Sequence, residues 1–167
     1  GVVGYHKPFA ALNEDLADGF GHDSAQQPMH EVAAWRVAEK MGEPWEQMVP
    51  PCVLRKINGE WGSFAMHRQG VPEKSPTDAH EWREAAFFDA LIGQQDRHPG
   101  NYLMAGDRVA LIDHGYSFAR RGDFINWSFF VGRRTRNGKD DTTAGLGEPG
   151  SQDASDRLAR AQTVTTP

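Results

Sequence analysis

Cysteine is almost absent, with Cys52 standing alone in 167 residues. No internal disulfide can form, and a reducing, cytoplasmic setting is the expectation. Long apolar runs are missing too. No stretch approaches the roughly 20 residues a helix needs to cross a bilayer, so no transmembrane segment is expected. The opening GVVGYHKP has neither the basic start nor the long apolar region of a secretory leader. Positive charge is scarce: 18 Lys and Arg against 23 Asp and Glu leave a formal net charge of -5. Without a basic excess to neutralise phosphates, a nucleic-acid partner is not expected. Hydrophobic residues reach only 38%, enough for the core of one ordinary or small two-part domain, with some of the chain left unpacked.

What is present falls into a readable order. Residues 1–8 carry Val2, Val3 and Tyr5 and predict a short strand. Residues 12–27 are polar and aperiodic, a surface loop. Residues 28–41 predict a helix, with Pro28 in its first turn, Gly42 just past its end, and Val32, Trp35 and either Ala38 or Glu39 on one apolar face. Two β-like runs, 52–57 and 60–67, flank Asn58-Gly59, a strong hairpin signal because both turn positions require positive φ. Residues 70–77 are Pro-rich and read as a linker. Asp78 then caps a helix, with Glu81 completing a capping-box-like pair. Trp82, Ala85, Ala86, Phe88, Leu91 and Ile92 form its apolar stripe, and Gly93 lies near its end. Short strands over 102–104 and 109–112 flank an Ala-Gly-Asp-Arg turn. Residues 124–131 suggest a short core helix. From Asn137 onward too few apolar groups remain to offset ordering entropy, so a disordered tail is expected.

Chemistry concentrates between Phe87 and Phe118. An apolar helical segment there ends in Asp96-Arg97-His98-Pro99-Gly100-Asn101, and a later apolar run delivers Asp113-His114-Gly115. Mg²⁺ takes hard oxygen ligands, usually one or two carboxylates or amides plus substrate phosphates. Asp96, Asn101 and Asp113 supply such a set. The step from Asp96 to Asn101 matches the Asp-x-x-x-x-Asn loop of protein kinases, and Asp113 follows a strand as the metal-binding Asp of an Asp-x-Gly motif does. Either motif alone is common turn sequence. Together, after a buried helix and astride two strands, they point to phosphoryl transfer. Gly115 is expected to relax the backbone beside Asp113. A two-metal phosphohydrolase fits less well, because no His/Asp cluster has the spacing for it.

DRHPGN followed by LIDHG resembles the phosphatidylinositol 3/4-kinase-like branch of the protein-kinase-like fold, especially actinobacterial members of unknown substrate. The likeness runs over residues 1–120 through Lys7-Pro8 at a strand end, Glu31-Val32-Ala33-Ala34 in a helix, Val49-Pro50-Pro51 before the hairpin, and the two loops, in that order. It implies a two-lobed α+β fold, here truncated. Residues 1–70 would form a partial antiparallel N-lobe sheet with one helix, residues 71–136 a partial helical C-lobe, and residues 137–167 the tail. The resemblance also implies ATP and Mg²⁺ as cofactors. Lys7 would contact the α- and β-phosphates, with Glu31 holding it. Asp96 would orient or deprotonate the acceptor hydroxyl, Asn101 would help hold Mg²⁺, and Asp113 would be the main metal ligand. His98 is implied near the transferred phosphate, as acid, base or electrostatic stabiliser, or else as a brace of its loop. Arg97 is implied as a brace or a phosphate-facing cation. Met66 to Gln69, beginning with Met66 and His67, would form the hinge between lobes, whose backbone N–H and C=O groups read the adenine edge.

Without His or Cys neighbours at ligand spacing, His67, His80 and His114 read as surface residues rather than metal ligands. Trp35, Trp61, Trp82 and Trp127 read as core or interface aromatics. No glycine-rich strand-turn-strand precedes Lys7 and the family's later helices are not evident, so a chain incomplete at both ends is expected. Two functions follow. One is a kinase acting on a hydroxyl of an unidentified protein, lipid or small molecule. The other is a non-catalytic nucleotide-binding or regulatory module.

Overall fold

The computed structural model describes residues 1–9, 24–72, 74, 76, 78–118, 128 and 130. Most of the expected loop over 12–27, the helix expected over 124–131 apart from Ser128 and Phe130, Trp127, and the expected tail lie outside the described residues. The architecture is mixed α+β, with two three-stranded antiparallel sheets and, among the described residues, three α-helices. The first sheet holds β1 (Gly4–Pro8), β2 (Cys52–Ile57) and β3 (Glu60–Met66) in the order β1-β3-β2. The second holds β4 (Val71–Pro72), β5 (Tyr102–Ala105) and β6 (Arg108–Leu111) in the order β4-β5-β6. The helices are α1 (Gln27–Met41), α2 (Trp45–Met48) and α3 (Ala79–Ile92).

The β2–β3 hairpin turns at Asn58 (φ 53°) and Gly59 (φ 89°), the left-handed pair that a two-residue turn demands. Its register places Lys7 of β1 opposite Ser63 of β3. Helix α1 has proline in its first turn and closes at Gly42, whose N–H donates to the Ala38 carbonyl. Its buried face runs through Glu31, Ala34, Trp35, Ala38 and Met41. The expected spacing holds, but Val32 is half-buried, and Glu39 is exposed and paired with Arg36. An acid, Glu31, lies in the stripe instead. The last residues of the expected loop are helical, in a 3-10 turn over Ser24–Gln26 that leads into α1.

Helix α3 is capped by Asp78, whose carboxylate accepts the His80 N–H at 2.7 Å. Glu81 does not complete a capping box. Its carboxylate accepts the Val109 N–H at 2.8 Å and pairs with Arg108 at 2.9 Å, tethering α3 to β6. Leu91 is exposed, and the buried face of α3 holds Glu84 and Asp89 beside Ala85, Phe88 and Ile92. The expected linker contains β4, whose Val71 and Pro72 pair with Met104 and Leu103 of β5. A proline is admissible there because β4 is an edge strand.

Helix α2 is too short to show a period in sequence. It buries Trp45, whose indole N–H donates to the Glu84 carbonyl at 3.1 Å. One apolar cluster joins α1, α2, α3, β5, β6 and Phe130. Trp35 belongs to it and Trp82 packs against it, but Trp61 is 55% exposed. No helix among the described residues is long and apolar enough to cross a membrane.

Candidate functional site

A cleft of about 650 Å³ lies against the first sheet, with Lys7, Ser63 and Ala65 on its wall and Asp113 and His114 opposite. The register that sets Lys7 beside Ser63 turns its side chain toward α1. There its Nζ meets Glu31 Oε1 at 2.7 Å and Asp113 Oδ1 at 2.9 Å. Three residues far apart in the chain thus share one charge cluster. Burial alone would depress the Lys7 ammonium, but the carboxylates of Glu31 and Asp113 overcome it and hold Lys7 above its ordinary range. Burial alone would raise Glu31. The His114 imidazole and the Lys7 charge reverse that and hold it well below the usual carboxylate range. Glu31 also accepts the His114 backbone N–H at 3.0 Å through Oε2. An ammonium has three N–H donors, so one remains to Lys7 for a ligand.

The loop after α3 is built on Arg97. Its guanidinium forks onto Asp89 at 3.0 to 3.2 Å, and neither side chain has exposed surface. Ser128 adds a hydrogen bond to the same carboxylate at 2.7 Å. Arg97 Nη1 donates to the carbonyls of Asn101 and Ile112, and the Ile112 N–H donates to Asn101 O at 3.1 Å. Arg97 is therefore a brace, and it fixes the backbone of Asn101 against the strand end that carries Asp113. Gln94 makes a second tie. Its Nε2 donates to Asp113 O at 3.0 Å, while its Oε1 accepts the N–H groups of Gln95 and Asp96 at 3.0 and 3.2 Å.

Asn101 Nδ2 donates to Asp96 O at 2.7 Å and lies 3.4 Å from Asp96 Oδ2. Burial pushes the Asp96 carboxyl up, against a smaller downward pull from His98, and the Asp113 charge pushes it up further. Asp96, His98 and Asn101 stand on the loop beside the cleft and do not line it. Among the described residues, no three His, Cys, Asp or Glu side chains converge as a metal site.

Comparison with family models, with curated proteins and with solved structures finds no match to this chain.

One expected detail is corrected. The left-handed backbone at the second loop falls on Asp113 itself (φ 55°), not on Gly115. The Gly115 hydrogen instead leaves room for Gln27, whose side chain would lie 3.2 Å from an added Cβ. Within the expected hinge, Met66 to Gln69, the first two N–H groups are engaged: Met66 donates to Pro51 O at 2.8 Å and His67 to Val3 O at 2.9 Å. Sheet pairing runs one residue beyond β3, so the N–H groups without a protein acceptor, among the described residues, begin at Arg68 and Gln69.

His67 and His80 are exposed, but His114 is buried, with its ring edge-on to Phe88. Burial lowers its pKa, against the pull of Glu31. Tyr5 was not anticipated in the site. It lines the cleft two residues from Lys7, on the same face of β1, and its hydroxyl lies 3.1 Å from His67 Nδ1. Strand alternation from Lys7 is the sequence signal that could have found it. Cys52 is also in the cleft wall, its thiol pushed up to about 12 by burial and by the Glu31 charge.

Proposed function

We propose that this chain carries the nucleotide site of a phosphotransferase of the phosphatidylinositol 3/4-kinase-like branch, using ATP and Mg²⁺ to phosphorylate a hydroxyl. One observation carries the reading: Lys7 Nζ lies 2.7 Å from Glu31 and 2.9 Å from Asp113. A strand lysine, a helix glutamate and a loop aspartate, 24 and 106 residues from the lysine, meet in one cleft. In that reading β1 to β3 with α1 form part of an N-lobe, and α3 with the second sheet begins a C-lobe.

The residues fit the cofactor. Mg²⁺ commonly takes only one or two protein oxygens, the rest coming from phosphates and water. Asp113 Oδ2 and Asn101 Oδ1 accept no hydrogen bond among the described residues, and their backbones are tied together through Ile112 and Arg97. These two oxygens would hold the ion, which supplies charge neutralisation on the phosphates.

The third N–H of Lys7 would bind the α- and β-phosphates, and Glu31 keeps the ammonium charged and in place. The base edge would be read from Arg68 and Gln69 onward. Asp96, whose carboxyl burial raises above its ordinary range, suits a base that takes the acceptor's hydroxyl proton. The acceptor oxygen then bonds the γ-phosphorus as the bond to the ADP oxygen breaks. Asn101 orients Asp96 through its side-chain amide.

The test is thermal melting with and without Mg²⁺-ATP, together with transfer from γ-labelled ATP. Ligand at about 100 times its Kd should add about 2.7 kcal/mol of stability, and Asp113→Ala should abolish both that gain and transfer. Unchanged melting with Mg²⁺-ATP would sink the reading. A gain in melting without transfer would mark a nucleotide-binding module instead.

A further inference from the structure

We infer that His30 of α1 is a positioning residue for Asp113: by holding the backbone two residues further on, it keeps that carboxylate aimed into the cleft. This role rests on the phosphotransferase reading, in which Asp113 holds the metal. His30 itself does not line the cleft. Its Nδ1 lies 2.9 Å from the Gly115 carbonyl oxygen. A carbonyl can only accept, so Nδ1 carries the hydrogen and donates it.

Asp113 needs such support. Its backbone is left-handed (φ 55°), a conformation that a residue with a Cβ keeps only where its surroundings enforce it. Its own carbonyl accepts from Gln94 Nε2 at 3.0 Å. The chain beyond it is held on two flanks. On the α3 side, Ile92 O accepts the Phe118 N–H at 2.8 Å, and the Gln95 N–H donates to Tyr116 O at 3.0 Å. On the α1 side, adjacent residues take successive backbone groups. Glu31 accepts the His114 N–H at 3.0 Å, and His30 donates to the Gly115 carbonyl. Gln27, at the start of α1, lies against Gly115, where an added Cβ would meet its side chain at 3.2 Å. The Phe118 ring packs on the imidazole, with centroids 5.9 Å apart.

Without the His30 N–H, the Gly115 carbonyl loses its donor from α1. Glycine puts no side chain in the way of a turning peptide, so the segment after Asp113 gains freedom. Asp113 can then relax from its left-handed backbone and draw its carboxylate away from Lys7, now 2.9 Å distant, and from Asn101. Lys7 and Glu31 stay paired, because neither touches that peptide through His30. The loss therefore falls on the metal held at Asp113 and spares the phosphates held at Lys7. Residues that orient a metal ligand from behind govern affinity in this way without contacting the ion.

The test is calorimetric titration with ATP, once in Mg²⁺ and once in EDTA. His30→Leu should weaken Mg²⁺-ATP binding about tenfold or more, the usual effect of losing a residue behind a metal ligand, and leave metal-free ATP binding unchanged. Asparagine has nearly the shape of leucine but places an amide N–H at the Nδ1 position. His30→Asn should therefore recover the wild-type response to Mg²⁺, which a role in packing alone does not predict. A long-range ¹H–¹⁵N correlation spectrum of ¹⁵N-histidine-labelled protein, with His30 assigned by its loss in H30N, should show hydrogen on Nδ1. It tests the bond even where H30L fails to fold. An imidazole with hydrogen on Nε2 alone overturns this role, as does an H30L that binds Mg²⁺-ATP like the wild type. So does an H30N no better than H30L, or an equal loss in EDTA. A wild type that binds no ATP, or whose affinity ignores Mg²⁺, overturns the phosphotransferase reading and this role together.

Discussion

Glu31 does more for the site than any other single side chain. One oxygen holds Lys7 and the other holds the His114 backbone, so strand, helix and loop meet on one carboxylate. Replacing it leaves Lys7 with only the half-exposed Asp113 and strips a buried N–H of its acceptor. Glu31→Ala should therefore destabilise the fold by about 3 kcal/mol, the usual effect of removing one partner of a buried pair, as read from urea denaturation. The same cluster sets the acid response. His114 is held below its ordinary value of 6.5, so the unfolded chain binds a proton that the folded chain refuses. Stability should then fall as pH drops from about 7 to about 5. Glu31 is held below its ordinary value of 4.5, so its contribution is present above that value and lost as pH falls further. The two losses add in the same direction. In melting curves across pH, His114→Asn should flatten the first slope and, by removing one of the two groups that hold Glu31 down, weaken the second.

Among the elements, α3 and the loop after it depend on a charge pair with no exposed surface. Asp89→Ala would leave the Arg97 guanidinium buried with carbonyl partners alone, and should cost about 4 kcal/mol by denaturant titration. Asp89→Asn should be milder, since it keeps an acceptor. The elements also show what could be read beforehand. The hairpin, α1 and α3 were legible because Asn58-Gly59, Pro28, Gly42, Asp78 and Gly93 are local signals that tertiary contacts did not override. Their buried faces were less so. Glu31 and Asp89 occupy core positions because each finds a partner outside its own helix, in Lys7 and Arg97, and no helical period reveals such partners. Helix α2 and strand β4 stayed hidden because four residues and two residues carry no period at all.

At the scale of the whole molecule, a single apolar cluster runs from α1 through α2 and α3 to β5 and β6. No element of that set has a core of its own. Calorimetry should accordingly show one transition for the described body, with equal calorimetric and van't Hoff enthalpies. Phe88→Ala, at the fully buried centre, should lower that transition by about 3 to 5 kcal/mol without splitting it. The candidate site was legible as residue types on two loops only because two motifs, each common turn sequence by itself, occur together after a buried helix and astride two strands. What the sequence could not disclose was their mutual tethering. Arg97 and Gln94 look like ordinary loop residues until the carbonyls they hold are placed in space.

Gln94 has a consequence for how such a protein can fail. One amide group takes the Asp113 carbonyl with its nitrogen and two N–H groups of the other loop with its oxygen. A single-nucleotide change turns a glutamine codon into a glutamate codon. The resulting side chain has the same shape and size, but it would set oxygen against oxygen at Asp113. The core and hairpins would be untouched while the two loops lost one of their fastenings and kept the one through Arg97. One letter can therefore loosen the join between the loops while the fold remains.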